Sequence, residues 1–229
     1  MMYTIDFSGV IGEDLTAAWL KTELKNAGGQ PVRIDFNSPG GSIFTGREMG
    51  QALRDYPGTI TARIVSIAAS MASYLTTLCD RVTVGPDSVY MAHYCSGLTA
   101  GGARDHERAV EILRGIDDQL VRGYVQKTGQ AESVVRAWME EEKYFFGKEI
   151  EEVGFADKYL ADDRATALDR STAIARAQHQ VAACVHPPTP AEIAALAKEP
   201  VRLPLSALWE RPELFQSKDD PAGIMTIKH

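Results

Sequence analysis

Apolar residues recur along the first 160 residues in two alternating rhythms: short apolar runs, and longer stretches with a helical period. Tyr3–Phe7, Val32–Phe36, Thr59–Val65, Val82–Val84 and Val89–Ala92 are predicted as strands. Glu13–Asn26 is predicted as a helix, with Leu15, Trp19 and Leu24 on one face. Ile43–Tyr56 is a second, with Gly46, Met49, Leu53 and Tyr56 in line, and Ala68–Cys79 a third. Ser38-Pro39-Gly40-Gly41 and Pro57-Gly58 punctuate the pattern. Strands alternating with helices predict an α/β domain with a mostly parallel sheet. In such sheets functional residues collect beyond the carboxyl ends of the strands. Gly40-Gly41 and Ser70 fall at such junctions, and His93 follows a later strand.

From Ser96 the rhythm changes. Gly97, Gly101 and Gly102 open a segment leading to a long helix over Arg104–Lys127, striped by Val110, Leu113, Leu120 and Tyr124. Two readings stay open for it: a subunit-contact element, or a helix packed on its own sheet. After Asp157 the strand pattern is lost. Ala161–Ala183 is predicted helical, Pro187-Pro188-Thr189-Pro190 a breaker, and Ala191–Lys198 a short helix. The expected organisation is a domain over 1–160 and an extension over 161–229, part helical and part irregular.

The net charge of −7 argues against nucleic acid as a partner, because phosphate binding needs a basic surface. The longest weakly polar stretch, Ile64–Cys79, is too short and too polar to cross a membrane. The N-terminus lacks the basic and apolar regions of a signal peptide. Cys79, Cys95 and Cys184 form neither a disulfide framework nor a zinc-binding spacing. A reducing, cytoplasmic location is expected, with no metal and no cofactor.

The candidate chemistry lies at the junctions. Paired glycines permit positive φ and let backbone N–H groups face an incoming atom, which suits an oxyanion hole; an ordinary turn is the plainer reading. Ser70, among small neighbours in Ile67-Ala68-Ala69-Ser70-Met71-Ala72-Ser73, sits where a helix begins and is a candidate nucleophile, with the Met71 N–H as a donor. An N-cap role serves Ser66, Ser70 and Ser73 equally, and the segment is not a Gly-x-Ser-x-Gly elbow. His93, ending an apolar strand, is a candidate general base, ahead of His106 in a polar helical segment. The acid that would orient it is not fixed by pattern: Glu140, Glu141, Glu142, Asp117 and Asp118 all qualify.

Taken together, these blocks resemble the Clp protease proteolytic-subunit family, ClpP, over about residues 4–160. Asn37-Ser38-Pro39-Gly40-Gly41, Ala68-Ala69-Ser70-Met71-Ala72 and Tyr90-Met91-Ala92-His93 are similar to its signature blocks, in order and at matching spacing. The resemblance implies a ClpP/crotonase-like fold with a long handle helix, Ser70 as nucleophile, His93 as base, and Gly41 and Met71 as oxyanion donors. Counted back from Lys148–Asp157, the family's triad aspartate falls on Glu142. The implied activity is that of a serine endopeptidase, assembled as a homo-oligomeric ring and acting on polypeptides. Glu141 stands where the family has a basic residue that helps pair its two rings, so a double ring is not carried over. The family's pore-lining segment has no counterpart before the first strand, so an unfoldase ATPase partner is not carried over either. With the extension, the pattern resembles ClpP-related proteases of phages and prophages, which implies head maturation by cutting scaffold or capsid proteins. Rival readings are a crotonase-type acyl-CoA enzyme, which needs no serine nucleophile, and a non-catalytic assembly protein that keeps the fold.

Overall fold

A computed structural model of the chain describes residues 2–161. The expected helices of the extension lie outside these residues. In chain order the elements are β1 (Tyr3–Ser8), α1 (Ala17–Ala27), β2 (Val32–Ser38), α2 (Ile43–Asp55), β3 (Ile60–Ala69), α3 (Met71–Thr76), β4 (Arg81–Val84), β5 (Val89–Met91), α4 (Ala103–Thr128), α5 (Glu132–Glu140), β6 (Tyr144–Phe146), α6 (Lys148–Glu152) and β7 (Lys158–Tyr159).

Strands β1-β2-β3-β4-β7 run side by side and parallel, while β5 pairs parallel with β3 and antiparallel with β6. Alternation along β2 buries Val32, Ile34, Phe36 and Ser38 and turns Arg33 and Asp35 to the other face. There Arg63 meets Asp35 in a two-pronged ion pair, at 2.9 and 2.8 Å. The buried face receives α1 through Leu20 and Leu24, and α2 through Met49 and Leu53. Among the described residues no helix is long and apolar enough to cross a membrane.

Two boundaries and one whole element depart from the periodicity. The first helix begins at Ala17, not Glu13, because Val10–Leu15 folds into a turn whose Asp14 and Leu15 N–H groups both donate to the Val10 carbonyl. Thr16 then caps the helix by accepting from the Trp19 N–H. A helix over Glu132–Glu140, absent from the sequence reading, buries Val135, Trp138 and Met139.

The third departure matters most. Ala68 and Ala69 finish a strand rather than start a helix. Strand β3 pairs with β4 over Thr61–Ile64, then changes partner and pairs with β5 over Ile67–Ala69. In this second half Ile67 and Ala69 join Val89 and Met91 in a small cluster on one face, while Ala68 enters the main core on the other. A strand buried on both faces has no alternation, so its sequence mimics the start of a helix.

Behind β5 lies an aromatic cluster. Tyr90 stacks on Phe155 at 4.3 Å, and Tyr124, from the expected long helix, meets Phe155 edge-on at 5.7 Å. The C-terminal half of α4 thus packs on its own sheet through Ile116, Leu120, Val121 and Tyr124. Its N-terminal half leaves Val110 and Ile112 exposed.

Candidate active site

The partner switch of β3 delivers Ser70 to His93. Ser70 directly follows β3, its N–H donating to the Met91 carbonyl at 3.0 Å, and His93 follows β5 by two residues. His93 Nε2 lies 2.7 Å from Ser70 Oγ, a hydrogen bond of the length a nucleophile and its base require. Ser70 is one of two non-glycine residues with positive φ among those described; at φ 55° and ψ −127° it forms a sharp strand-to-helix elbow. The elbow is therefore present without its usual Gly-x-Ser-x-Gly motif. Space for it comes from Gly40, where an added Cβ would stand 2.6 Å from Ser70 Cβ.

Gly41 approaches from the other side. Ile11 bridges it in parallel fashion: the Ile11 N–H donates to the Gly40 carbonyl and the Ser42 N–H donates to the Ile11 carbonyl, both at 2.7 Å. In a parallel bridge the central residue turns its own N–H and C=O away from the partner. Gly41 therefore presents its peptide groups on the side away from Ile11. It lines a cleft of about 440 Å³ shared with Ser70, Met71 and His93. Gly41 is legible in the sequence as one of a glycine pair; Ile11 is not, because its role is carried by backbone alone.

The candidate triad acid is nearby but not hydrogen-bonded. Glu142 Oε1 lies 3.7 Å from His93 Nδ1, with the Glu142 side chain 66% exposed and that of His93 11%. Glu142 sits after α5 in a turn closed by the Lys143 N–H on the Trp138 carbonyl, again at positive φ, 47°. A movement of about 1 Å by this long side chain brings the pair to hydrogen-bond length. Of the other acids weighed for this role, Asp117 accepts from the Cys95 N–H at 2.8 Å and so anchors the chain after His93. Asp118 is engaged by Arg136.

Burial lowers the His93 pKa from the ordinary value of 6.5, opposed by the carboxylates of Glu142 and Asp117. The imidazole is thus neutral, and able to take a proton, at neutral pH. Cys95 brings a thiol to the lining of the same cleft. Burial and the neighbouring Asp117 carboxylate push its thiol up to about 12, so it stays protonated and is a poor competitor for Ser70. The weaker candidate base, His106, lies in α4 and bonds the exposed Thr99 instead.

Similarity to known proteins bears on the family of the chain. The model of the family described as Clp protease matches residues 10–163. The chain is 32% identical over 149 residues to an ATP-dependent Clp protease proteolytic subunit of Chlorella vulgaris, covering 64% of this chain and 72% of the relative. It is 28% identical over 158 residues to proteolytic subunit 1 of Protochlamydia amoebophila, covering 67% and 75%. A Chlamydia trachomatis subunit 1 matches at 32% over 144 residues, covering 60% and 73%. With the parallel sheet, the long α4 and the elbow at Ser70, these matches place the chain in the Clp protease family of serine peptidases.

Proposed function

We propose that the protein is a serine endopeptidase in which Ser70 attacks and His93 carries the proton. The observation that carries this reading is the 2.7 Å contact between His93 Nε2 and Ser70 Oγ at the floor of the cleft. Ser70 Oγ adds to the scissile carbonyl while its proton passes to Nε2. The oxyanion takes hydrogen bonds from the N–H groups of Gly41 and Met71. His93 then gives the proton to the leaving amine, and an acyl ester remains on Ser70. Water, deprotonated by His93, hydrolyses that ester. Glu142 faces the other ring nitrogen and stabilises the imidazolium that forms in both steps.

A fluorophosphonate probe tests the reading. Labelling confined to Ser70 is expected. A crotonase-type enzyme or a non-catalytic assembly protein would remain unlabelled; turnover of an acyl-CoA would separate those two, and light scattering would show the intact ring of the assembly protein.

The proposal extends to a homo-oligomeric ring acting on polypeptides, as the relatives' description as proteolytic subunits suggests. Its finest part is the substrate: scaffold or capsid proteins of a phage head, suggested by the extension. The reaction itself uses only this chain's residues and water.

The proposal also fixes a pH dependence. His93 must be neutral to act, and burial lowers its pKa, so the acid limb of kcat/KM is expected below the ordinary imidazole value of 6.5. Glu142→Gln removes a charge that opposes the effect of burial. The limb then moves to still lower pH while the plateau rate falls. A limb that stays in place in Glu142→Gln would remove Glu142 from the triad.

A further inference from the structure

Beneath Ser70 lies a chain of buried hydroxyls that the mechanism above does not use. Ser73 Oγ donates to the Ser70 carbonyl at 2.6 Å, and the Tyr74 N–H donates to the same oxygen at 3.2 Å. Ser73 Oγ also lies 2.8 Å from Tyr124 Oη. A hydroxyl has one proton. Ser73 points its proton at the Ser70 carbonyl, so toward Tyr124 it is the acceptor and Tyr124 is the donor; Tyr124 Oη also reaches the Ser70 carbonyl itself, at 3.5 Å. Ser73 and Tyr124 are 0% and 1% exposed, so no bulk water competes for these groups. The Tyr124 ring is held edge-on by Tyr74 and Phe155, and the Ser73 carbonyl is itself fixed by donation from Tyr90 Oη and Thr76 Oγ1.

The relay acts on one peptide unit. The Ser70 carbonyl and the Met71 N–H belong to the same planar trans peptide and point in opposite directions. Holding the carbonyl down into the core therefore holds the N–H up toward the cleft. That orientation is not the relaxed one for Ser70. A half-turn of this peptide takes ψ of Ser70 from −127° to about +53°, which with φ 55° is the ordinary left-handed well. The half-turn would point the carbonyl at the oxyanion position in place of the N–H. The same half-turn carries φ of Met71 by 180°, out of the helical region in which α3 begins, so the start of α3 and the hydroxyl relay together oppose it.

We propose that Ser73 and Tyr124 are positioning residues of the oxyanion hole: their hydroxyl relay on the Ser70 carbonyl aims the Met71 N–H at the cleft and blocks the flipped peptide. This rests on the peptidase reading of Ser70. Burial raises the Tyr124 pKa, which keeps its hydroxyl protonated as the relay requires.

The test uses the purified full chain and the variants Ser73→Ala and Tyr124→Phe, which remove one hydroxyl each. Steady-state hydrolysis of a peptide substrate is measured beside inhibition by a peptide boronate, whose tetrahedral adduct places an oxygen in the hole. The expected result is a kcat lower by roughly 10- to 100-fold, part of the loss seen on deleting a whole oxyanion donor. KM is expected to change by less than about twofold, because the substrate's ground state does not use the hole. Boronate affinity falls in step with kcat. If Ser73→Ala unfolds, Tyr124→Phe, which keeps its ring packing, decides alone. A folded variant with unchanged kcat and boronate affinity, or with only KM raised, overturns the proposal. A wild-type chain that neither cleaves peptides nor takes the fluorophosphonate takes down the peptidase reading as well, so the two failures are distinguishable.

Discussion

Ser70→Ala is expected to lower peptide turnover by at least about 10⁴-fold, to the level left by binding and the oxyanion donors alone. The substitution removes one atom, Oγ, and with it the bond to His93 Nε2. The backbone reasons for the elbow survive: the Ser70 N–H still donates to the Met91 carbonyl, and the Ser70 carbonyl still accepts from Ser73 and Tyr74. Alanine is no better suited than serine to φ 55°, so the strain is unchanged. The fold should therefore be retained, read by circular dichroism, and the particle mass should match that of wild type. Residual hydrolysis within tenfold of wild type, on the order of a single weak interaction, would show that another group is the nucleophile.

Gly41→Ala is expected to cost less turnover than Ser70→Ala, but it acts for a different reason. A Cβ at Gly41 would stand 2.2 Å from the Ile11 carbonyl oxygen and 2.9 Å from the Ile11 nitrogen. Both are backbone atoms, so no rotamer change relieves the overlap. The residue also sits at φ 136°, which side-chain-bearing residues rarely adopt. The Gly40–Ser42 bridge to Ile11 must open, and the Gly41 N–H moves with it. Loss of one oxyanion donor lowers kcat by roughly 10²- to 10³-fold. Melting is expected at lower temperature than for wild type, in contrast to Ser70→Ala. A Gly41→Ala enzyme with wild-type kcat would show that the bridge does not position a donor.

These outcomes bear on how much the sequence could tell. Most elements were legible from periodicity, because α2 and α4 each show a one-sided apolar stripe and β2 alternates. The end of β3 was not: Ile67-Ala68-Ala69 is apolar on both faces, and only the presence of β5 alongside makes it a strand. Helix α5 is short, and the helical spacing of Val135, Trp138 and Met139 spans little more than one turn, too little to stand out as a stripe. Ser70 and His93 were each a modest signal by residue chemistry. Their order and spacing with Gly40-Gly41 made the site, through resemblance. Glu142 could be reached only by counting along a family pattern, since its place depends on a turn at positive φ that no local propensity announces. Ser73 and Tyr124 looked like a packing serine and one member of an apolar stripe. Hydroxyl partners across 51 residues leave no mark on periodicity.

The exchange of partners by β3 has one more consequence. Nucleophile and base hang from neighbouring strands, each just past a ladder that pairs Ile67 with Val89, Ala68 with Tyr90 and Ala69 with Met91. A slip of one residue in that ladder would carry His93 about 3.3 Å along the strand and turn its side chain to the opposite face. The short ladder is thus the ruler of the reaction. Insertions in surface loops leave the gap between Ser70 and His93 untouched, while the alanines of β3, which carry no chemistry at all, hold it to length.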